Sequence, residues 1–280
     1  MRIALFPSKK KPPAIELAAK IQEFLAARGV EVAAEIELCS ELKATPIETL
    51  QNKKIDFLIS IGGDGTILRL LHKYANLHAP ILGINMGSLG FMADVPRDDI
   101  LPSLEDLLKG SYSIEKRLIL DIASGKESYF AANDFVIHRG CNHSLIEIGV
   151  YVNNFYLNTF VADGLIIATP NGSSAYSLAA GGPIISPNVE AFVITPICAH
   201  TISNRPLVIA ADCEIKIQYL SNYDNPGSVH IDGTDHFAMN VDSVVTLKKS
   251  AKTFNWVNLY RRQYFATLRT KLGWSGKLTH

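Results

Sequence analysis

Residues 55–66 constrain this chain more than any other stretch. Ile55-Asp56-Phe57-Leu58-Ile59-Ser60-Ile61 is an apolar run of strand length. It breaks into Gly62-Gly63-Asp64-Gly65-Thr66 and then enters Ile67-Leu68-Arg69-Leu70-Leu71, which has helical spacing. A strand that stops at glycines just before a helix suits a phosphate site, because bare backbone can approach an anion and the helix N-terminus points N–H groups at it. An aspartate in that place would repel phosphate. The tension is resolved if Asp64 handles a proton or a metal ion; the alternative is a tight turn in which Asp64 caps the helix.

Around this turn the first third of the chain alternates strand with helix. Residues 2–6, 30–36, 55–61 and 80–85 read as strands. Residues 14–27, with Ile15, Leu17, Ile21 and Leu25 at helical spacing and Gly29 at the end, read as a helix. Shorter helices are expected at 46–52, from Thr66, and at 97–109. This alternation argues for an α/β domain with a parallel sheet. Near Gly110 the helical period fades, and strand-like segments separated by turn residues dominate to about Ser250, as in an all-β sandwich. Residues 173–180 are expected to be a helix within it. Residues 264–272, with Phe265, Leu268 and Leu272, are helical again and are expected to pack back on the first domain. The expected division is an α/β domain over 1–112, a β-sandwich dinucleotide-binding domain over 113–258, and a returning segment over 259–280.

Composition narrows the function classes. Lys+Arg and Asp+Glu are both 27, so the formal net charge is zero and the balance suggests no nucleic-acid partner. The four cysteines, Cys39, Cys141, Cys198 and Cys213, form no CxxC pair and read as reduced, mostly buried thiols of a cytosolic protein. The eight histidines form no HExxH motif, so no dedicated zinc site is expected. No run reaches the ~18–20 apolar residues that span a bilayer. A soluble cytoplasmic protein without a membrane partner is the expectation.

Three further segments carry chemistry-bearing residues. Asp163-Gly164 opens a strand that runs into Thr169-Pro170-Asn171-Gly172-Ser173-Ser174-Ala175-Tyr176-Ser177-Leu178-Ala179-Ala180-Gly181-Gly182-Pro183. Its small, hydroxyl-rich turn lets a flat ligand lie against backbone, with Tyr176 able to stack on a base; a well-capped, tightly packed helix is the plainer reading. Asn133-Asp134 offers a carboxamide and a carboxylate that suit a ribose or amide, or else a turn. Asp232-Gly233-Thr234-Asp235-His236 reads as a hairpin turn. Lys9-Lys10-Lys11 reads as a solvated loop, although it could reach a phosphate. No Walker-type GxxxxGK[ST], no dinucleotide GxGxxG and no GxSxG elbow is present.

These segments in this order resemble the NAD kinase family. The resemblance rests on Gly62-Gly63-Asp64-Gly65-Thr66, Asn133 followed by an acid, the 163–183 segment, Ser203-Asn204-Arg205-Pro206-Leu207-Val208, and the ending Leu268-Arg269-Thr270-Lys271-Leu272-Gly273-Trp274. It implies an α/β domain, a β-sandwich and a returning helix. It also implies transfer of the terminal phosphate of ATP, with Mg²⁺ or another divalent cation, to the 2′-hydroxyl of the adenosine ribose of NAD. In the resemblance, Asp64 takes the hydroxyl proton and Gly65 lies beside the ligand. Asn133 and Asp134 contact the nucleotide, and Asp163 binds its nicotinamide side. Ser174, Ala175, Tyr176, Ser177, Leu178 and Ala179 wrap adenine and ribose. The family forms homodimers or homotetramers. Three positions depart from its pattern: Asp134 stands for the usual glutamate, Val161 for a basic residue, and Thr234 for a glutamine. A non-catalytic dinucleotide sensor of the same fold is the alternative; a lipid or sugar kinase of the superfamily fits the 163–183 segment less well.

Overall fold

The apolar runs of the first third become strands buried on both faces, and the amphipathic stretches between them become the covering helices. A computed structural model describes residues 1–50, 53–87, 90–223, 225–261 and 263–274. Gln51 and Asn52 of the expected 46–52 helix, and Ser88 and Leu89, lie outside the described residues. The chain divides into two units, Met1–Glu115 with Phe254–His280, and Lys116–Thr253.

In the first unit the order is β1 (Arg2–Pro7), α1 (Pro12–Ala26), β2 (Glu31–Ala34), α2 (Cys39–Leu42), β3 (Thr45–Pro46), β4 (Phe57–Gly62), α3 (Asp64–Tyr74), β5 (Ile81–Asn85) and α4 (Ile100–Lys109). The sheet runs β5-β4-β1-β2-β3, all parallel. Ile3, Leu5, Ile59, Ile61, Leu82 and Ile84 share one core with Ala14, Ala18, Ile21 and Leu25 of α1 and with Ile100, Leu104 and Leu107 of α4. Phe6 points to the other face, where its ring lies 4.9 Å from that of Tyr74 at the end of α3. Two proline residues start α1, where a missing N–H costs nothing. Gly110 ends α4 in the left-handed region at φ 78°.

From β1 the chain steps to β2 on one side, and β4 then lies on the other. The ends of β1 and β4 therefore open a crevice at a topological switch point, the place where open α/β sheets bind ligands. The Gly62–Thr66 turn leaves β4 at this point. The loop after β1 reaches the same point, since the Ser8 N–H donates to the Ile61 carbonyl at 2.8 Å.

The second unit is built from antiparallel strands, β6 (Tyr112–Ser124), β7 (Glu127–Ala131), β8 (Asp134–His138), β9 (Ile146–Val152), β10 (Phe155–Ala162) and β11 (Gly164–Ala168). After the short helix α5 (Tyr176–Ala179) come β12 (Ala191–Ile197), β13 (Leu207–Ala210), β14 (Ile215–Tyr219), β15 (Gly227–Ile231), β16 (Asp235–Met239) and β17 (Val244–Leu259). One sheet holds β10-β9-β14-β17, and the other runs β13-β12-β11-β8-β15-β16. Ile148, Val150 and Ile217 of the first meet Phe135, Ile137, Ile167 and Phe192 of the second in one core, so the two sheets form a sandwich. The sequence boundaries at 112 and 258 fall within β6 and β17, strands that run from one unit into the other. The final helix, α6 (Tyr264–Leu272), belongs to the first unit. It buries Leu268 and sets the Lys271 ammonium 5.4 Å from the Phe91 ring centre.

Several expectations need correction. Within its described residues the helix expected at 46–52 is Pro46 at the end of β3 and a 3₁₀ turn at Ile47–Leu50. The cysteines are not buried: Cys39 and Cys213 are half-buried, and Cys141 and Cys198 are exposed. The strand expected at 30–36 is only Glu31–Ala34, because Glu35 turns its side chain to Lys9, Lys73 and Tyr74 and a 3₁₀ turn follows at Ile36–Leu38. The helix expected at 173–180 is a 3₁₀ turn at Gly172–Ser174 and the four residues of α5, broken at Ala175. Ser173 Oγ donates to the Pro170 carbonyl at 2.7 Å and accepts from the Ile185 N–H at 2.9 Å, which diverts the chain before a regular helix can start.

Phe192 is fully buried among residues of both sheets. Phe192→Ala is expected to cost about 3–5 kcal/mol, read as a lower midpoint in urea unfolding. An unchanged midpoint would show that the sandwich does not depend on this ring.

Candidate active site

In the first unit the glycine turn positions a carboxylate. Gly63 is the N-cap of α3 and Asp64 is its first residue, so Asp64 does not cap the helix. Its side chain instead crosses to the loop after β5. Oδ2 accepts the Phe91 N–H at 3.0 Å, and Oδ1 accepts the Met92 and Ala93 N–H groups at 3.2 and 2.8 Å. A side chain on Gly90 would collide with this carboxylate, so glycine is needed there for the close approach. An ionised carboxylate offers about four acceptor sites; three are used, and one remains for a further donor. Gly63 and Gly65 have open space where a Cβ would stand.

In the second unit the segment Ala132–Asp134, between β7 and β8, is fixed in a parallel way. Asp232 Oδ2 accepts the Ala132 N–H at 2.8 Å, and Oδ1 accepts those of Asn133 and Asp134 at 2.8 and 3.0 Å. Asp232 itself sits at φ 50° in the turn between β15 and β16. The turn after β11 docks on the same segment. Thr169 Oγ1 donates to the Ala132 carbonyl at 2.6 Å, Asn171 Nδ2 donates to Asn133 Oδ1 at 2.8 Å, and a Cβ on Gly172 would collide with the Asn133 backbone. Asp134 pairs with Ala168 across β8 and β11, so Asn133, Asp134 and the 169–176 segment are brought together.

These residues flank a cavity of about 420 Å³ lined by Asp134, Val136, His138, Tyr176, His230 and Gly233. Residues 134, 136 and 138 alternate along β8 and so share one face. Burial first, and the neighbouring Asp232 charge second, push the Asp134 carboxyl up to about 7. Burial also holds His138 below the ordinary imidazole value; Asp163 opposes this, while Arg139 and His230 add to it. Asp163 lies at the other end of β11 from Asp134, beside His138, with one oxygen 2.8 Å from Arg139 Nε.

The structure thus gathers Asn133, Asp134, Ser174, Ala175 and Tyr176 at one end of the second sheet and sets Asp163 at the other end. Ser174 Oγ donates to the Asn171 carbonyl at 3.2 Å, and Ala175, Tyr176 and Ala179 are exposed, with Leu178 half-buried. Ser177 is fully buried, and its Oγ lies 2.8 Å from Thr195 Oγ1, so its side chain ties α5 to β12. Asp64 and Gly65 belong to the first unit. The hairpin reading of 232–236 holds for the backbone but missed the job of the Asp232 carboxylate, which no local signal reveals. The cavity-lining His138 and His230 carried no signal in the sequence. Val161 offers no charge here, and Asp163 pairs with Arg139, which follows β8.

Comparison with known proteins gives a consistent result. Residues 3–112 match the ATP-NAD kinase N-terminal domain, and residues 132–259 match the ATP-NAD kinase C-terminal domain. The chain is 52% identical over 277 residues to an NAD kinase of Protochlamydia amoebophila, covering 99% of each chain. It is 36% identical over 285 residues to an NAD kinase of Nitrosomonas europaea, covering 99% of this chain and 96% of that one. Among solved structures, an Archaeoglobus fulgidus NAD kinase in complex with ATP superposes with a TM-score of 0.79 at 26% identity, covering 99% of this chain and 100% of that one. A yeast NADH kinase complexed with NADH gives a TM-score of 0.88, covering 100% of this chain and 90% of that one; at 24% identity this likeness speaks for the fold alone.

The raised Asp134 value has a consequence for stability. The native protein keeps a proton that the unfolded chain has released above its ordinary carboxyl value. That contribution is full at low pH and is lost as pH rises through about 7. The stability of the wild type relative to Asp134→Asn is therefore expected to fall from about pH 4 to about pH 7, by about 4 kcal/mol. Thermal unfolding of both proteins across that range checks this; parallel curves would contradict it.

Proposed function

The chain belongs to the ATP-NAD kinase family, and from that premise we propose how its own residues carry the reaction. The enzyme transfers the terminal phosphate of ATP to the 2′-hydroxyl of the adenosine ribose of NAD, giving NADP and ADP. The new bond joins O2′ to the γ-phosphorus, and the bond from that phosphorus to the β–γ bridging oxygen breaks. The 2′-hydroxyl proton goes to Asp64. Phosphoryl transfer depends on alignment and charge stabilisation more than on covalent chemistry.

The observation that supports Asp64 is its held carboxylate. Three backbone N–H groups fix its position and leave one acceptor site for the ribose hydroxyl. A carboxylate is a weak base, so it serves by orienting the hydroxyl in the ground state and taking its proton late, as the new bond forms. Gly63 and Gly65, free of side chains, leave the backbone open to the donor phosphates. Among the described residues no three His, Cys, Asp or Glu side chains are placed to hold a metal ion. The divalent cation is taken to enter with the substrate, as MgATP.

The dinucleotide is assigned to the 420 Å³ cavity of the second unit. Asn133 and Asp134 contact the nucleotide, and Asp163 the nicotinamide side. Ser174, Ala175, Tyr176, Leu178 and Ala179 flank adenine and ribose, with Ser177 contributing through its backbone. Asp134 is one methylene shorter than the family's glutamate and deeply buried, so a water can complete its contact. No helix among the described residues is long and apolar enough to cross a membrane. A cytoplasmic location and a homodimeric or homotetrameric state complete the proposal.

A coupled assay for NADP formed from NAD, ATP and Mg²⁺ tests the reading directly. Asp64→Asn is expected to lower turnover by about 10²–10⁴ while leaving NAD affinity within a few-fold. Wild-type turnover in that variant would sink the base assignment. Gly90→Ala keeps the carboxylate but displaces it, and is expected to lower kcat with little change in the KM for NAD. An unaltered kcat would show that the three N–H bonds do not set the reacting geometry.

A further inference from the structure

The lysine run after β1 separates into distinct roles in the fold. Lys9 is neutralised: its Nζ lies 2.9 Å from Glu35 and 2.5 Å from Glu37. Lys11 turns the other way. Its Nζ would stand 3.1 Å from a Cβ built on Gly87, so the ammonium lies directly over that glycine. Gly87 also walls a cavity of about 410 Å³, together with Asn85, Met86, Pro96 and Arg97. Neither Lys11 nor Arg97 makes an ion pair among the described residues, both are exposed, and no carboxylate lines the cavity.

The backbone here has little to offer an anion. Pro12 and Pro13, the first two residues of α1, carry no N–H, and the Ala14 N–H is spent on the Lys11 carbonyl. The Gly87 N–H is taken by Asn85 Oδ1 at 2.6 Å. Positive charge in this part of the crevice must therefore come from side chains. Gly87 follows β5, the neighbour of β4, and the Met86 N–H donates to the Gly62 carbonyl at 2.7 Å. The cavity thus adjoins the glycine turn.

We propose that Lys11 and Arg97 bind the polyphosphate of the donor nucleotide, with the bare face of Gly87 beneath it. This rests on the kinase reading above and assigns that reaction two binding residues. A lysine acts as a point charge that follows the phosphates, and an arginine can take two oxygens at once. Glu35 and Glu37 contribute by drawing Lys9 aside, while Lys11 stands over Gly87 at the cavity wall.

The test uses the full chain and compares wild type with Lys11→Ala, Arg97→Ala and Lys9→Ala. Lys11→Ala and Arg97→Ala are each expected to raise the KM for ATP about 10- to 100-fold, with the KM for NAD unchanged. Lys9→Ala is expected to leave both constants within about twofold, as a surface ion pair predicts. Inorganic tripolyphosphate should compete with ATP in the wild type and lose affinity by the same factor in Lys11→Ala, while Lys11→Arg retains most of it. An unchanged KM for ATP in Lys11→Ala, or a rise in the KM for NAD instead, would overturn the proposal. If wild type forms no NADP, the kinase reading fails. The lysine assignment is then decided separately by calorimetric binding of tripolyphosphate to wild type and Lys11→Ala, where equal affinities count against it.

Discussion

A carboxylate that accepts three consecutive backbone N–H groups is the interaction on which both site segments depend. Asp64 holds residues 91–93 in the first unit, and Asp232 holds residues 132–134 in the second. Charge-assisted bonds of this kind are about twice as strong as neutral ones. They also satisfy backbone donors in loops and at a strand end that would otherwise be costly to bury. The glycines nearby follow from this. Gly90 must lack a side chain for Asp64 to reach its loop, and Gly172 must lack one for the turn after β11 to lie on Asn133.

Charge is handled by local pairing, in keeping with a chain of zero net charge. Glu35 gathers Lys9, Lys73 and the Tyr74 hydroxyl; this pairing raises Lys73 to about 12, and burial beside Glu35 raises Tyr74 to about 12. The cluster ties the loop after β1 to the end of α3, so the two elements flanking the crevice are braced against each other. Arg139 neutralises Asp163 in the same manner. Asp134 differs: among the described residues no cation pairs with it, and burial with Asp232 nearby leaves it readily protonated near neutral pH.

Much of this was legible in the sequence. Apolar runs, helical spacing and terminal glycines give the alternating strands and helices of the first unit, and turn residues at short intervals give the sandwich. Gly62-Gly63-Asp64-Gly65-Thr66 marks its own site, because a strand ending in glycines before a helix is a local pattern. The segment after β11 was legible as composition but not as shape. Its small residues fit a long helix equally well, and only the hydrogen bonds of Ser173 to Pro170 and Ile185 break it.

The sequence by itself determined the strand and helix types, the two-part organisation and the position of the glycine turn, since each depends on neighbours within a few residues. Tertiary structure alone decided which carboxylate does what. Asp64 reaches a loop 27–29 residues away, and Asp232 reaches one 98–100 residues away. Those partners are backbone N–H groups, which every residue except proline carries, so no side-chain pattern announces them. The same holds for the lysines after β1. Three adjacent ammonium groups look alike in sequence, and only the fold pairs Lys9 with Glu35 and Glu37 and sets Lys11 over Gly87.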